Sequence, residues 1–365
     1  MVSYVHTYTQ PTTGEKERQG SQANCYTYSI SSRSITSHDV ARVAGVSQPT
    51  VSRALRGDPR LSEATRKRVL AAAEELRYVP SQRGRSLATR SSGQVAIVVS
   101  DLGNPFYLQV LEELDRALHE TRLRMLVLTP DENDAVPLDR LVDGSLDGAI
   151  LTTTVLDSTL PRALSERGFP FVLLNREVDE APGDVCVVDN HAGATLAARE
   201  LIGLGHTRIA AIFGPATTST GRDREAGFRA GLGEAGIPLP AELFRRGPFE
   251  FDRGRADAIE LLGARPTAFF CANDILALGA YNGLASREVR IPEEISLIGF
   301  DDVLLAGWDM FQLTTVSQDI HGMVRAATDL LLTRIAHEGD RLPPRRVVLT
   351  PTMVHRRTHG PPPAE

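Results

Sequence analysis

Within QPTVSRAL (48–55), Val51 and Leu55 recur at i and i+4 and face one way, which leaves Gln48, Pro49, Ser52 and Arg53 on the opposite face. These are residue types that read base edges. An arginine fork matches guanine O6 and N7, a glutamine pairs with adenine, and a proline makes only apolar contact, for example with a thymine methyl. A second set stands where apolar runs end. Asp101, Phe106 and Tyr107 follow VAIVVS, Asn273 and Asp274 follow TAFFCA, and Asp301 follows ISLIGF. Polar groups at the carboxyl ends of strands line ligand crevices in open α/β folds. A third signal is Leu87, the single large apolar residue in the basic, serine-rich run SQRGRSLATRSS. Each set has a plainer alternative: a three-helix bundle for protein contacts, local caps for Asn273 and Asp301, and core packing for Phe106, Tyr107 and Leu87. Trp308, alone after a loop, reads as packing.

Other chemistry has little support. GLGEAG (231–236) satisfies G-x-G-x-x-G, but an amphipathic helix precedes it and IPLP follows, where a dinucleotide fingerprint needs a strand and then a helix. It reads as a helix cap and turn. No Walker loop, H-E-x-x-H or G-x-S-x-G string occurs, and the histidines are scattered. Cys25, Cys186 and Cys271 are odd in number and in no ligand spacing, so neither a disulfide framework nor a zinc site is expected. The sequence therefore predicts no enzyme, no cofactor and no metal. No apolar run approaches the ~20 residues that cross a bilayer. The first residues lack the basic start and apolar core of a secretory signal. A reducing cytoplasm, at the nucleoid, is the expected location.

The elements that must position these residues follow from patterning. A chain of 365 residues exceeds one ordinary domain, and 42% hydrophobic with 24% charged residues fits a globular class. Residues 33–90 hold twelve Arg and Lys against five Asp and Glu, a net +7, whereas 91–365 carry −13. A basic head on an acidic body suggests that the head meets a polyanion. Residues 1–33 are polar and aperiodic and read as a disordered extension, or as an upstream start outside the functional protein. Thr36 or Ser37 caps a first helix whose apolar face is Val40, Val43 and Ala44. Gly45 turns the chain, and Ser47 caps the second helix with Pro49 in its first turn. Ser62 caps a third helix striped by Val69, Ala73 and Leu76. From Gln94, about nine apolar runs alternate with amphipathic stretches, the pattern of parallel strands with crossover helices in two doubly wound units. Two short helices joined by a glycine turn, with a third behind them, form the helix-turn-helix that reads DNA.

The stretch HDVARVAGVSQPTVSRALRGDPRLSEATRKRVLAAAEELRYVPS resembles the head of the LacI (lactose repressor) family of bacterial transcription regulators. By position, Gln48 and Pro49 match the family's two variable base-reading residues, and Thr50, Ser52 and Arg53 its constant helix. Arg56 stands where the family usually has Asn; a phosphate contact is expected there. The resemblance implies that the linker folds into a hinge helix on operator DNA, with Leu87 wedged into a minor-groove base step. Arg83 and Arg85 would add phosphate contacts, and Gly84, in place of the usual Ala, lowers helix propensity by about 1 kcal/mol.

Most of 94–358 resembles the family's core, of the periplasmic-binding-protein type I fold, through VSDLGNPFY, VDNHAGATLAARELIGLGHTRIAAIFG, GRDREAGFRAGL, FFCANDILALGA and ISLIGFDD in that order. The resemblance implies that Arg224, Asn273 and Asp301 contact the effector, that Phe249 stacks on it, and that Thr218 and Thr220 add contacts; the plainer alternative for Arg224 is a structural ion pair. Such a set suits a polyol: carboxylate and amide meet hydroxyls, and an aromatic covers the apolar sugar face.

The expected architecture is a small all-α helix-turn-helix head and an α/β body of two doubly wound parallel-sheet subdomains. Its parts are an extension (1–33), the DNA-binding head (34–80), a hinge (81–93) and an effector-binding and dimerisation body (94–358). Within the body, 94–188 and 318–345 make one subdomain and 189–317 and 346–358 the other; 359–365 is a tail. The expected function is a ligand-responsive repressor of a carbohydrate-utilisation operon. Its partners would be a pseudo-palindromic operator, a sugar and a second copy of the chain in a homodimer, with no membrane. The ending HRRTHGPPPAE has no leucine heptad, so no tetramer is expected. A solute-binding protein with the same body would explain the cleft but not the head.

Overall fold

The structure, a computed structural model, describes residues 35–55, 57–78, 91–121, 123–130, 136–337, 339 and 342–364. The expected extension 1–33, Arg56 and the hinge residues Arg83, Gly84, Arg85, Leu87 and Ala88 lie outside the described residues. The chain divides into two units, residues 1–80 and 81–365.

The first unit holds α1 (Ser37–Ala44), α2 (Gln48–Leu55) and α3 (Glu63–Glu75). The backbone N–H of Thr36 and its hydroxyl both donate to the Asp39 carboxylate, at 3.0 and 2.8 Å. These bonds, with Arg42, hold the Asp39 carboxyl down at about 2. Gly45 ends α1 at φ 63, a left-handed value that suits glycine. The Ser62 hydroxyl accepts from Thr65 N and caps α3. The core is Val40, Ala41, Ala44, Val51, Ala54, Val69, Ala72 and Ala73. Val43, expected inside, is 46% exposed and Ala41 takes its place. Both {40, 43, 44} and {40, 41, 44} fit one helical arc, so periodicity permits either, and packing against α2 and α3 selects the second. Leu55 and Leu76 are half-buried at the margin.

The second unit starts with β1 (Gln94–Val98), α4 (Pro105–Thr121), β2 (Arg124–Leu128), α5 (Asp139–Val142), β3 (Gly148–Leu151), α6 (Leu160–Glu166), β4 (Phe171–Leu174) and β5 (Asp184–Val188). It continues with α7 (Asn190–Gly203), β6 (Ile209–Phe213), α8 (Ser219–Glu234), β7 (Phe244–Arg246), α9 (Phe251–Leu261), β8 (Ala268–Cys271), α10 (Asp274–Ala285), β9 (Ser296–Asp301) and β10 (Thr314–Ser317). Then come α11 (Ile320–Ala336), β11 (Arg346–Leu349) and β12 (Thr352–Val354). One sheet runs β11-β5-β4-β3-β1-β2, all parallel. The other runs β12-β10-β9-β8-β6-β7, parallel except for β12. Every residue of β5 and β6 is buried, as strands covered on both faces must be. Three strands that no long apolar run marks, β7, β11 and β12, are edges of three or four residues, where Arg and Thr are tolerated. Gly231, in the rejected GLGEAG string, lies in α8 where a Cβ would stand 2.7 Å from Ala198 Cβ on α7; it is there for close helix packing. Among the described residues no helix is long and apolar enough to cross a membrane.

The chain passes between the sheets at Asp189, at 318–319 and at 350–351. The last differs from the expected crossing near 346. β11 pairs in parallel with β5, Arg346 opposite Val185, and only beyond Pro351 does β12 join β10. Residues 346–349 thus complete the first sheet. Asp184 explains why: its buried carboxylate accepts from Arg345 N (2.8 Å) and Arg345 Nη2 (2.9 Å) as well as from Arg334 Nη2 (2.6 Å) and Nε (3.0 Å) of α11. Burial pushes this carboxyl up, but the Arg334 and Arg345 hydrogen bonds outweigh it and hold it below the usual range. Nor does a tail start at 359. Gly360 N donates to Ser296 Oγ at 2.9 Å, and Leu297 N to Thr358 O at 2.6 Å, so the segment docks on β9.

Candidate functional sites: a helix face and a polar cleft

On α2, Pro49 and Arg53 are exposed, and Gln48, Thr50 and Ser52 are half-buried. Gln48 Nε2 donates to Ser37 Oγ at 3.3 Å, and Thr50 Oγ1 pairs with Ser47 Oγ at 2.9 Å. Ser47 was expected to cap α2; its carbonyl accepts from Thr50 N and Val51 N, which starts the helix. Arg66, Lys67 and Arg68 of α3 are exposed, so the basic charge of the head faces solvent. An exposed helix start carrying an Arg fork and an apolar Pro, on a basic unit, is chemically suited to a DNA groove.

In the second unit one site gathers Asn104, Phe106, Tyr107, Asn175 and Arg176 from the first subdomain, and Thr220, Arg224, Phe249, Asn273 and Asp301 from the second. All but Arg224, which reaches in from the second turn of α8, lie at or just after the carboxyl ends of strands or at the helix starts that follow. Arg224 is at the centre. Its Nη1 donates to Asp301 Oδ1 (2.9 Å) and Ala272 O (2.7 Å), its Nε to Asn190 Oδ1 (2.7 Å), and its guanidinium lies 3.8 Å from the Phe300 ring centroid. Asp301 Oδ1 also accepts from Gln318 Nε2 at 2.5 Å. Asp301 sits at φ 122, which non-glycine residues seldom adopt, and these bonds hold it there. Burial pushes its carboxyl up to about 6, while Arg224 and Gln318 pull the other way. Burial likewise lowers Arg224, against the pull of Asp301. Asn273 accepts from Leu276 N at 3.0 Å, so it both caps α10 and faces the site.

The walls are aromatic. Phe106 and Tyr107 meet edge to face at 5.3 Å, and the Arg176 guanidinium lies 5.9 Å from the Tyr107 ring and 5.8 Å from the Phe249 ring. The cavity left between these side chains is about 10 Å³, room for at most one water. Three buried polar atoms at or beside it, Asn175 Oδ1, Arg176 Nε and Gln318 Oε1, have no hydrogen-bond partner among the described residues. Such atoms are costly unless something completes them.

Seven of the nine predicted effector residues therefore come together. Two do not line the cavity. Thr218 is spent locally: its hydroxyl accepts from Gly221 N at 3.1 Å and donates to Pro215 O at 3.0 Å, capping α8. Asp101 stops short of the lining, and Asn104 takes its place. Asp274 turns inward, accepting from Val303 N and Thr315 Oγ1. Trp308 is 49% exposed and not packed as expected. The sequence reading missed Asn104, Asn175, Arg176 and Gln318. The strand-end rule that found Asp301 also applies to Asn175 and Arg176 after β4 and to Gln318 after β10.

Residues 36–81 match "Bacterial regulatory proteins, lacI family", and 198–359 match "Periplasmic binding protein-like domain". The ribose operon repressor of Escherichia coli (strain K12) is 34% identical over 329 residues, 88% of this chain and 98% of that protein. A transcriptional regulator CelR–cellobiose complex is similar in structure, with a TM-score of 0.67 at 32% identity over 89% of this chain and 99% of that one. So is a lac repressor dimer bound to operator and the anti-inducer ONPF, with a TM-score of 0.77 at 26% identity over 89% and 99%. A helix-turn-helix head, a two-sheet body and 34% identity over nearly the whole length agree: this chain belongs to the lacI family of bacterial regulatory proteins.

Proposed function

We propose that this regulator is a cytoplasmic homodimer that represses a carbohydrate-utilisation operon from a pseudo-palindromic operator until a sugar enters its cleft. The single observation that carries the sugar is the polar cleft: among the described residues Asn175 Oδ1, Arg176 Nε and Gln318 Oε1 have no partner, beside the Arg224–Asp301 pair and the aromatic walls. Asn175 and Arg176 line the cavity and Gln318 bonds Asp301 beside it, and two acceptors and a donor so placed complement vicinal hydroxyls. The sugar-bound CelR structure and the ribose repressor support this reading. Gln48, Pro49, Thr50, Ser52 and Arg53 would read the major groove, and Arg56 and Leu87 would add a phosphate contact and a minor-groove wedge. The cleft binds and does not react. The test is calorimetry of the full chain with mono- and disaccharides, then gel shifts on a duplex selected from a random pool, across a titration of whichever sugar binds. Release of the duplex at saturating sugar is expected. If no sugar binds, the polyol reading fails; if sugar tightens DNA binding, the sign of the response is reversed.

A further inference from the structure

At the surface of the second subdomain, two imidazoles converge on one carboxylate oxygen. His355 Nε2 stands 3.3 Å and His359 Nε2 3.2 Å from Glu200 Oε1. The three ligand atoms lie within 4.8 Å of one another, and none of these residues lines the cleft. We infer that Glu200, His355 and His359 form a binding site for a divalent transition-metal ion of the zinc type, which fastens the C-terminal segment to α7.

The donor set is the first argument. Two neutral imidazoles and a carboxylate suit zinc, with water filling the open position. Geometry is the second. Ligands about 2.0–2.1 Å from a tetrahedral zinc stand ~3.3–3.4 Å apart. The two nitrogen–oxygen edges, at 3.3 and 3.2 Å, are close to that length, and the His359 edge also lies at the long end of the hydrogen-bond range. The two nitrogens lie within 4.8 Å of each other.

Preorganisation is the third. Nδ1 of His359 pairs with Thr314 Oγ1 at 2.9 Å, the partner on the far ring nitrogen that orients a ligating histidine. The backbone around it is stitched down. Arg356 N donates to Thr314 Oγ1 (2.8 Å), Thr358 Oγ1 to Leu297 O (2.7 Å) and Gly360 N to Ser296 Oγ (2.9 Å). The ordering that a metal would otherwise impose is already present, so binding energy is not spent on it. Neighbouring cations are engaged elsewhere: Arg199 with Glu234 and Arg356 with Asp302. Among the described residues the ion-pair partners of Glu200 are these two histidines. His355 is 53% exposed along its side chain, which leaves an entry path.

The test uses the full chain, stripped with a chelator and titrated with zinc chloride by calorimetry, with thermal unfolding followed in parallel. One zinc per chain, a midpoint that rises with zinc concentration and reverses with chelator, and a tetrahedral visible spectrum with cobalt(II) are expected. His355→Ala, at an exposed position, should keep the fold and weaken zinc at least about tenfold, and Glu200→Gln should do the same. His321→Ala, at an exposed histidine elsewhere, should change nothing. Absence of zinc binding, or binding that His355→Ala and Glu200→Gln leave intact, overturns the inference and reduces the cluster to a hydrogen-bonded histidine–glutamate group. None of these readouts depends on DNA or sugar.

Discussion

Arg53 and Arg176 carry charges with different duties, and substitution separates them. Arg53 is exposed on α2. If its fork reads guanine, Arg53→Ala costs ~1–3 kcal/mol at one symmetric base pair per half-site and much less on random DNA. Gel shifts over single-base operator variants measure this; equal weakening on every sequence would mean a phosphate contact. Arg176 lines the cleft; its Nη1 donates to Thr153 O at 3.4 Å, and its Nε has no partner among the described residues. Arg176→Met should weaken sugar by ~1.5–3 kcal/mol, read by calorimetry, and, because it also takes the Nη1 donor from Thr153 O, should cost about 1–3 kcal/mol of stability in denaturant unfolding. Unchanged sugar affinity would make Arg176 a wall and not a contact. Asp301 is a worse probe than its sequence position suggests. It is the buried counter-ion of Arg224, so Asp301→Ala strands a cation and should destabilise the fold by ~3–5 kcal/mol in denaturant unfolding. A binding defect in that variant would mix two causes.

At the scale of elements, the turn after α1 and the edge beside β5 each rest on one residue. Gly45 has no atom within 4 Å of where a Cβ would stand, so Gly45→Ala meets only backbone strain at φ 63. The expected loss is about 1–2 kcal/mol, confined to the head, and measurable by thermal unfolding. Asp184 joins β5, α11 and the segment before β11. Its folded carboxyl lies below its unfolded value. The stability it contributes is therefore fully present above the unfolded value near 4 and is lost as pH falls through the lower folded one. Asp184→Asn should cost on the order of 3 kcal/mol at neutral pH. The gap to wild type should narrow steadily below about pH 4 in urea titrations. A gap that stays constant into acid would show that Asp184 acts by shape and not by charge.

For the whole molecule, a cavity of about 10 Å³ cannot admit a sugar unless the two subdomains part. They are joined at Asp189, 318–319 and 350–351, so opening must be absorbed there. Saturating sugar should change amide exchange at these crossings, measured on the full chain; identical exchange with and without sugar would rule the opening out. Much of the architecture was legible in the sequence. Buried parallel strands need unbroken apolar runs, and a turn between short helices needs a residue that tolerates positive φ, so VAIVVS, ISLIGF and Gly45 declare themselves locally. Other features have no local signature. Ala41 and Val43 offer α1 equivalent arcs until α2 and α3 choose between them. RVVL and TMV sit on either side of Pro351, yet each belongs to a different sheet, because partner strands distant in sequence supply the free edge. Arg176 and Asp301 are ordinary charged residues until folding places them across one cleft, where burial makes each depend on its neighbours. Glu200 and His359 are 159 positions apart and share a hydrogen bond. Periodicity senses only neighbours along the chain, whereas a site is made by elements that meet through packing. Local patterning was therefore enough for the buried strands, the helix turn and the family they signal, whereas the edge strands and the polar groups that face one another across the cleft depend on segments far apart in the chain.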